Sequence, residues 1–165
     1  MDNRFLYVMA QFDEYTERKL KELQNSIFSQ GIVGTQTPNF PAHITLGTYE
    51  IDKEQEVKEK VIEISKKICK MPISFDSIGL FGMKVLFISP SVTYELLDLR
   101  KKFDINCSDS FNWVPHVTML SDEAENIQKA IPILANKFTH FSGYIESISL
   151  YEFYPSRFII EEKLI

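Results

Sequence analysis

The chain has 165 residues, 44% hydrophobic and 25% charged, which are the proportions of a folded globular protein rather than a disordered or fibrous one. Its formal net charge of -5 disfavours attachment to a long nucleic-acid track, so any nucleic-acid partner should be short. No apolar run is long enough for a membrane helix, and the apolar N-terminal stretch is too short for a signal peptide. We expect a cytoplasmic protein without a membrane partner.

Strand and helix patterns alternate along the chain, and the second half repeats the order of the first. The first half is predicted to form strand, helix, strand, helix and strand over residues 4–11, 14–30, 42–49, 53–70 and 73–81. The second half repeats this over residues 84–89, 92–103, 114–120, 123–138 and 144–153, and a last strand over 157–164 should pair back as a hairpin.

The predicted helices have apolar stripes with the spacing of one helix face. The stripes are Val57, Val61, Ile64 and Ile68, then Val92, Leu96, Leu99 and Phe103, then Ile127, Ile131, Leu134 and Phe138. Three similar stripes predict helices that lie on the faces of sheets. Pro132 removes a backbone donor inside the last helix and is expected to kink or split it.

The two cysteines, Cys69 and Cys107, have no CxxC spacing. This pattern supports neither a disulfide framework nor a zinc site, and we expect two unpaired, buried thiols. The sequence also lacks a glycine-rich phosphate loop, a GxSxG elbow and a paired metal-ligand motif. No metal or organic cofactor is predicted.

The third element of each half contains the same short motif, His-x-Thr. His43 and Thr45 share one face of the first predicted strand, and His116 and Thr118 share one face of the second, because side chains alternate along a strand. If the two halves are related by a pseudo-twofold axis, these faces meet across a cleft. His140 also has a hydroxyl residue at the second position after it, but it falls at a helix-to-strand junction, and we interpret it as a surface or hydrogen-bonded loop histidine.

Two imidazoles and two hydroxyls suit the chemistry of a phosphoester. An ordinary imidazole pKa near 6.5 allows one histidine to accept a proton while the other, charged, donates one at the same pH. Thr45 and Thr118 would hydrogen-bond the non-bridging phosphate oxygens. Such a pair could open a phosphodiester without a metal ion.

The motif pair resembles that of the 2H phosphoesterases, which include the 2'-5' RNA ligase-like proteins and the 2',3'-cyclic nucleotide phosphodiesterases. The resemblance rests on residues 43–46 and 116–119, on the order of elements and on the turn at residues 79–82, and it covers nearly the whole chain. It implies that His43 and His116 are the acid and base and that Thr45 and Thr118 hold the phosphate.

Together, the duplication and the resemblance imply an α+β (α/β-like) fold of two lobes in a single domain over residues 1–165. The lobe-forming repeats would be approximately 1–82 and 83–165, each a mainly antiparallel sheet with helices on its outer face, around a central cleft with pseudo-twofold symmetry. We expect a monomer.

Two positions differ from the RNA ligase-like pattern. An arginine commonly follows the second motif in those proteins, and Ser121 stands at the matching position. The segment after the first motif is usually Phe-Leu-Gly, whereas this chain has Thr48, Tyr49 and Glu50. These differences place the chain in a divergent branch and weaken the case for RNA ligase-like activity.

Several further residues are candidates for binding substrate. Tyr49 shares the face of His43 by strand parity and could stack on a nucleobase, or it could belong to the core. Ser121 could reach the phosphate or could cap the helix that follows. Basic residues at predicted strand starts are possible phosphate partners: Arg4, Lys84 and Arg157.

The favoured function is hydrolysis of a 2',3'-cyclic phosphate on a small nucleotide, an RNA end or a related diester. An alternative is a binding module that holds a nucleotide or RNA end in the same cleft without turnover. RNA ligase-like activity and a purely structural role for the histidines remain as further alternatives.

Overall fold

The computed structural model describes residues 4–103 and 113–165 of the chain. Strands and helices alternate in the order β1 (Phe5–Phe12), α1 (Glu14–Phe28), β2 (Ile44–Glu50), α2 (Glu54–Ser65), β3 (Met71–Phe81), β4 (Val85–Pro90), α3 (Tyr94–Phe103), β5 (Val117–Ser121), α4 (Ala124–Lys137), β6 (Phe141–Phe153) and β7 (Arg157–Lys163). A short 3-10 turn, Ile51–Lys53, leads into α2.

The strands form one seven-stranded sheet in the order β2-β1-β6-β3-β4-β5, and β7 also pairs with β6. Every pairing is antiparallel. The α+β fold class and the antiparallel sheet are therefore confirmed, as is the β6–β7 hairpin.

The closing strand of each half pairs with the first strand of the other half. Within the sheet β3 is the neighbour of β4, and β6 is the neighbour of β1. Hydrogen bonds thus cross the expected boundary between the repeats, and β3 also pairs with β6. This exchange leaves β2 and β5, the strands that follow the two histidines, at opposite ends of the strand order.

Every helix buries apolar residues, and on α2, α3 and α4 these include members of the predicted stripes. Buried positions recur on every helix: Leu20, Leu23 and Ile27 on α1, Val57 and Val61 on α2, Leu96, Leu99 and Phe103 on α3, and Ile127, Ala130 and Leu134 on α4. These residues form one continuous core with the inner faces of the strands. Helices α1 and α4 contact each other, α2 contacts β6 and β7, and α3 contacts β2.

The structure corrects several details of the sequence-based prediction. Pro132 does not split the last helix, which runs without interruption over Ala124–Lys137, because packing of Ile127, Ala130 and Leu134 against the core holds the helix on both sides of the proline. Val92 precedes α3 and is 54% exposed rather than part of its buried stripe. Helix α2 ends at Ser65, so Cys69 lies in the following connection and is exposed, not buried. Cys107 lies outside the described residues.

None of the helices in the described parts of the chain is both long enough and apolar enough to span a membrane.

Candidate active site

His43 and His116 directly precede β2 and β5, so each histidine lies just before the strand in which the sequence predicts it. A proline comes shortly before each of them, Pro41 and Pro115, and proline has no N–H for the ladder of a sheet. Nδ1 of His43 lies 2.9 Å from the carbonyl oxygen of Pro41, and Nδ1 of His116 lies 2.8 Å from that of Val114. Since a carbonyl only accepts, Nδ1 carries a proton and Nε2 is the accepting nitrogen of the neutral ring.

The two ends of the sheet line a single pocket of about 590 Å³. Its walls include His43 and Thr45 from the β2 end and Thr118 and Ser121 from the β5 end. His116 is not one of the described wall residues, but it lies near enough for its positive charge to lower the pKa of His43. The structure thus brings three of the four motif residues, His43, Thr45 and Thr118, to one pocket and places His116 within electrostatic reach of His43.

Each of the two edge strands contains a β-bulge just after its threonine. In the β1–β2 ladder Thr45 pairs with Met9, and the next pairing skips Leu46. In the β4–β5 ladder the pairing skips Met119, which follows Thr118. A bulge shifts the alternation of side chains by one residue. Beyond the bulge, residues an even number of positions after the histidine therefore no longer lie on the face of the histidine.

The bulge explains why Tyr49 does not share the face of His43, as strand parity predicts, and instead takes the alternative place against the core. Tyr49 pairs with Leu6, a fully buried core residue, and its hydroxyl donates to the carbonyl oxygen of Phe103 at 2.6 Å. It therefore does not share the face of His43 and is not a wall of the pocket. Ser121 does line the pocket, and no hydrogen bond of its hydroxyl is present within residues 4–103 and 113–165.

The connection between α1 and β2 forms another wall of the pocket, with every residue from 33 to 42 contributing. Hydrogen bonds connect it to the end of β5. The backbone N–H of Thr35 donates to the carbonyl oxygen of Ser121 at 2.7 Å, and Gln36 Oε1 accepts from the backbone N–H of Ser121 at 2.9 Å. Gly34 has a φ of 71°, and an added Cβ there would lie 2.8 Å from the same carbonyl oxygen. Glycine permits this close approach.

Aromatic side chains surround both histidines. The Phe40 ring meets the His43 imidazole edge to face at 5.3 Å, and the Phe81 and Phe87 rings lie 4.8 and 5.2 Å from that of His116. The aromatic wall of the pocket includes Tyr7, Phe40, Phe153 and Tyr154. Sequence reasoning missed this wall because its members come from β1, from a connection and from the end of β6.

Burial determines the protonation of both imidazoles. It lowers the pKa of His43, the hydrogen bond to Pro41 opposes that effect, and the charge of His116 lowers the pKa further. Burial also lowers the pKa of His116, against the opposing hydrogen bond to Val114. Both rings therefore titrate below 6.5 and are mostly neutral at pH 7.

The pocket has little positive charge. Lys21 is the basic residue among its described walls, and Lys21 Nζ lies 3.2 Å from a carboxylate oxygen of Glu17. The proposed phosphate partners are elsewhere: Arg4 and Arg157 both pair with the buried Glu152. A third, Lys84, is exposed and is not a described wall of the pocket.

His140 is separate from the cleft. Its Nδ1 contacts a carboxylate oxygen of Asp76, and its side chain is 61% exposed. The interpretation of His140 as a hydrogen-bonded surface histidine is therefore confirmed. Within residues 4–103 and 113–165, no cluster of three or more His, Cys, Asp or Glu side chains has the arrangement needed to hold a metal ion.

Comparison with known proteins identifies the family. A profile of the 2'-5' RNA ligase superfamily matches residues 13–155, which is most of the chain. The chain belongs to the 2'-5' RNA ligase superfamily. Its two His-x-Thr motifs, at His43 and His116, both lie inside the matched region.

Solved structures of similar proteins share the fold. Escherichia coli LigT in complex with NADP+ is 16% identical, with a TM-score of 0.65 and 98% of each chain covered. The same protein in complex with 3'-AMP is 15% identical, with a TM-score of 0.62 and 98% of each chain covered. The protein TT0787 of Thermus thermophilus is 13% identical, with a TM-score of 0.69 and 97% of each chain covered. A search of curated proteins finds no significant match.

Proposed function

We propose that the protein is a metal-independent cyclic phosphodiesterase that opens the 2',3'-cyclic phosphate of a nucleotide, an RNA end or a similar small diester. One observation carries the proposal: His43, Thr45 and Thr118 line one pocket, and His116, held through Nδ1 as His43 is, lies near enough to His43 for its charge to act on that ring. In residues 4–103 and 113–165, nothing hydrogen-bonds to Nε2 of His43 or of His116. These nitrogens are available for proton transfer.

The proposed reaction needs one neutral and one protonated histidine. Nε2 of the neutral ring takes a proton from water while the water oxygen bonds to phosphorus. Nε2 of the protonated ring gives its proton to the ribose oxygen whose bond to phosphorus breaks. The product is a phosphomonoester, and the two rings end with their protonation states exchanged, which proton exchange with solvent reverses. No step requires a metal ion or an organic cofactor.

The two threonines are suited to holding the phosphate. Their hydroxyls accept or donate no hydrogen bond within the described parts of the chain, and both side chains are half-buried. Thr45 and Thr118 would donate to the non-bridging oxygens, where negative charge grows as water attacks. Hydroxyl donors also suit a cleft whose one described lysine, Lys21, is already paired with Glu17.

The aromatic wall supports a nucleotide as the substrate. Planar rings such as those of Phe40 and Tyr154 offer stacking surfaces to a nucleobase whatever its identity. E. coli LigT, which has the same fold, has been solved with NADP+ and with 3'-AMP. The volume of about 590 Å³ suits a small ligand rather than a long polynucleotide. Because one chain supplies both motifs, a monomer would suffice.

The same aromatic wall also favours a second candidate, a module that binds a nucleotide or an RNA end without turnover. In that case His43 and His116 would serve as hydrogen-bonding groups only. RNA ligation would open the cyclic phosphate with a ribose hydroxyl in place of water and would use the same four motif residues, and the family match keeps it as a third outcome.

Incubation with 2',3'-cyclic AMP, with and without EDTA, distinguishes these functions. We expect phosphomonoester product in both conditions, and loss of turnover in His43→Ala and in His116→Ala. His140→Ala is the matched control, because this histidine lies on the surface and should keep full activity. Binding of 3'-AMP without turnover would identify the binding module instead, and turnover abolished by EDTA would contradict the mechanism.

A further inference from the structure

A direct hydrogen bond joins the segment before the second motif to the main chain of the first. The indole N–H of Trp113 donates to the carbonyl oxygen of Thr45 at 3.1 Å. Trp113 stands three residues before His116, whose imidazole is itself fixed to the carbonyl of Val114. The residue that receives the bond is the predicted phosphate ligand of the opposite strand.

This contact crosses the gap between the two ends of the sheet. β2 and β5 are not neighbours in the strand order, so no strand pairing fixes their separation. Contacts outside the strand ladders add to the connection through the intervening strands, and one of them is the backbone hydrogen bond from Thr35 to Ser121. Arg100 strengthens the crossing, because its guanidinium lies over the Trp113 ring at 5.5 Å and donates to the carbonyl oxygen of Leu46, next to Thr45.

A second crossing runs in the opposite direction. Gln36, in the connection that precedes His43, accepts from the backbone N–H of Ser121 at the end of β5. The segment before His116 thus bonds to the β2 end of the sheet, and the segment before His43 bonds to the β5 end. Trp113 makes the crossing that reaches Thr45, the predicted phosphate ligand.

We propose that Trp113 is a positioning residue that sets the separation of the two His-x-Thr motifs. A shift of about 1 Å in reacting groups can cost about a hundredfold in rate, so a donor that fixes Thr45 relative to His116 matters for turnover. Trp113 touches no reacting atom in this scheme. Its kinetic effect rests on the proposed function, whereas its effect on the distance between the imidazoles does not.

The test uses Trp113→Phe, which keeps an aromatic ring but lacks the N–H donor. The coupling between the two imidazoles is measured by NMR titration of the histidine ring protons. In the parent protein, His116→Gln should raise the titration midpoint of His43, since the charge of His116 lowers the pKa of His43. In the Trp113→Phe background the same substitution should produce a clearly smaller shift, because the two ends of the sheet separate.

The kinetic part uses 2',3'-cyclic AMP. We expect Trp113→Phe to lower kcat about 10- to 100-fold with a smaller change in KM. Trp113→His, which retains an N–H donor on a smaller ring, should recover part of both the coupling and kcat, and it serves as the second variant if Trp113→Phe does not fold. Far-UV circular dichroism checks the fold of each.

An unchanged coupling between His43 and His116 in Trp113→Phe would overturn the positioning role, whatever the turnover. If the coupling is lost in both Trp113→Phe and Trp113→His, the N–H donor of the histidine has not restored it. The loss would then come from packing of the indole ring, and this result would also overturn the positioning role. If the parent protein hydrolyses no cyclic nucleotide, the proposed function fails, and the coupling measurement still decides the role of Trp113.

Discussion

His43 and His116 lie at opposite ends of the sheet and hold their imidazoles in the same way. Each Nδ1 donates to the carbonyl oxygen of the residue two positions earlier, Pro41 in one case and Val114 in the other. This hydrogen bond places the proton of each neutral ring on Nδ1 and leaves Nε2 as the nitrogen that can accept a proton. In the proposed reaction, this likeness would allow either ring to act as the base while the other acts as the acid.

The rate of hydrolysis should be greatest below pH 6.5. A base must be neutral and an acid protonated, so the active fraction peaks between the two pKa values, and burial lowers the pKa of both His43 and His116 from 6.5. The pH dependence of kcat/KM for 2',3'-cyclic AMP measures this directly. An optimum on the alkaline side of pH 7 would contradict the predicted shift.

Removing either threonine hydroxyl should slow turnover without unfolding the protein. Thr45→Val and Thr118→Val keep the side-chain shape and lose one donor to the phosphate, which we expect to lower kcat by about a hundredfold, as for removal of one oxyanion donor. Thr45→Ser and Thr118→Ser are the matched controls and should retain most of the activity. Equal activities for the Val and Ser variants would exclude a phosphate-binding role.

Tyr154 should contribute to the affinity for nucleotides. It lines the pocket and is 65% exposed, so Tyr154→Ala can remove a stacking surface with little effect on the core. Stacking on one base is worth about 1–3 kcal/mol, and KM for 2',3'-cyclic AMP should rise roughly 5- to 100-fold. Tyr94→Ala provides the control, because Tyr94 is 85% exposed and is not a described wall of the pocket. A similar KM for both variants would place the base elsewhere.

Tyr49→Phe should affect stability and not substrate binding. The substitution removes the hydroxyl that donates to the carbonyl oxygen of Phe103, so we expect the free energy of unfolding to fall by about 1 kcal/mol. KM for 2',3'-cyclic AMP should stay at the parent value. Urea unfolding and steady-state kinetics test the two halves of this prediction, and a raised KM with unchanged stability would return Tyr49 to the substrate site.

The elements of the fold could be predicted because they depend on local periodicity. Apolar spacing located the helices, and the repeated His-x-Thr motif located the two strands of the site. The pairing of β3 with β4 could not be predicted, since no local pattern in the sequence distinguishes it from a pairing of β3 with β1. One pocket nevertheless has walls from both β2 and β5, which lie at opposite ends of the strand order.

The errors at the site have a common physical origin. Counting by twos along β2 places Tyr49 beside His43, and one unpaired residue, Leu46, reverses that assignment. No signal in the sequence marks the bulge. The aromatic wall was missed for a similar reason, because Tyr7 and Phe40 reach the pocket from segments whose approach depends on tertiary structure. Ser121, for which the sequence leaves phosphate contact and helix capping as alternatives, lines the pocket.

The most direct test of the central claim compares kcat/KM for 2',3'-cyclic AMP in His43→Ala, His116→Ala and the double variant. Groups that act as one unit lose their function together, so each single substitution should lower kcat/KM by about 10²- to 10⁴-fold and the double variant should be little worse. Full activity in either single variant, or losses that multiply in the double variant, would contradict a reaction carried by the two histidines acting as a pair.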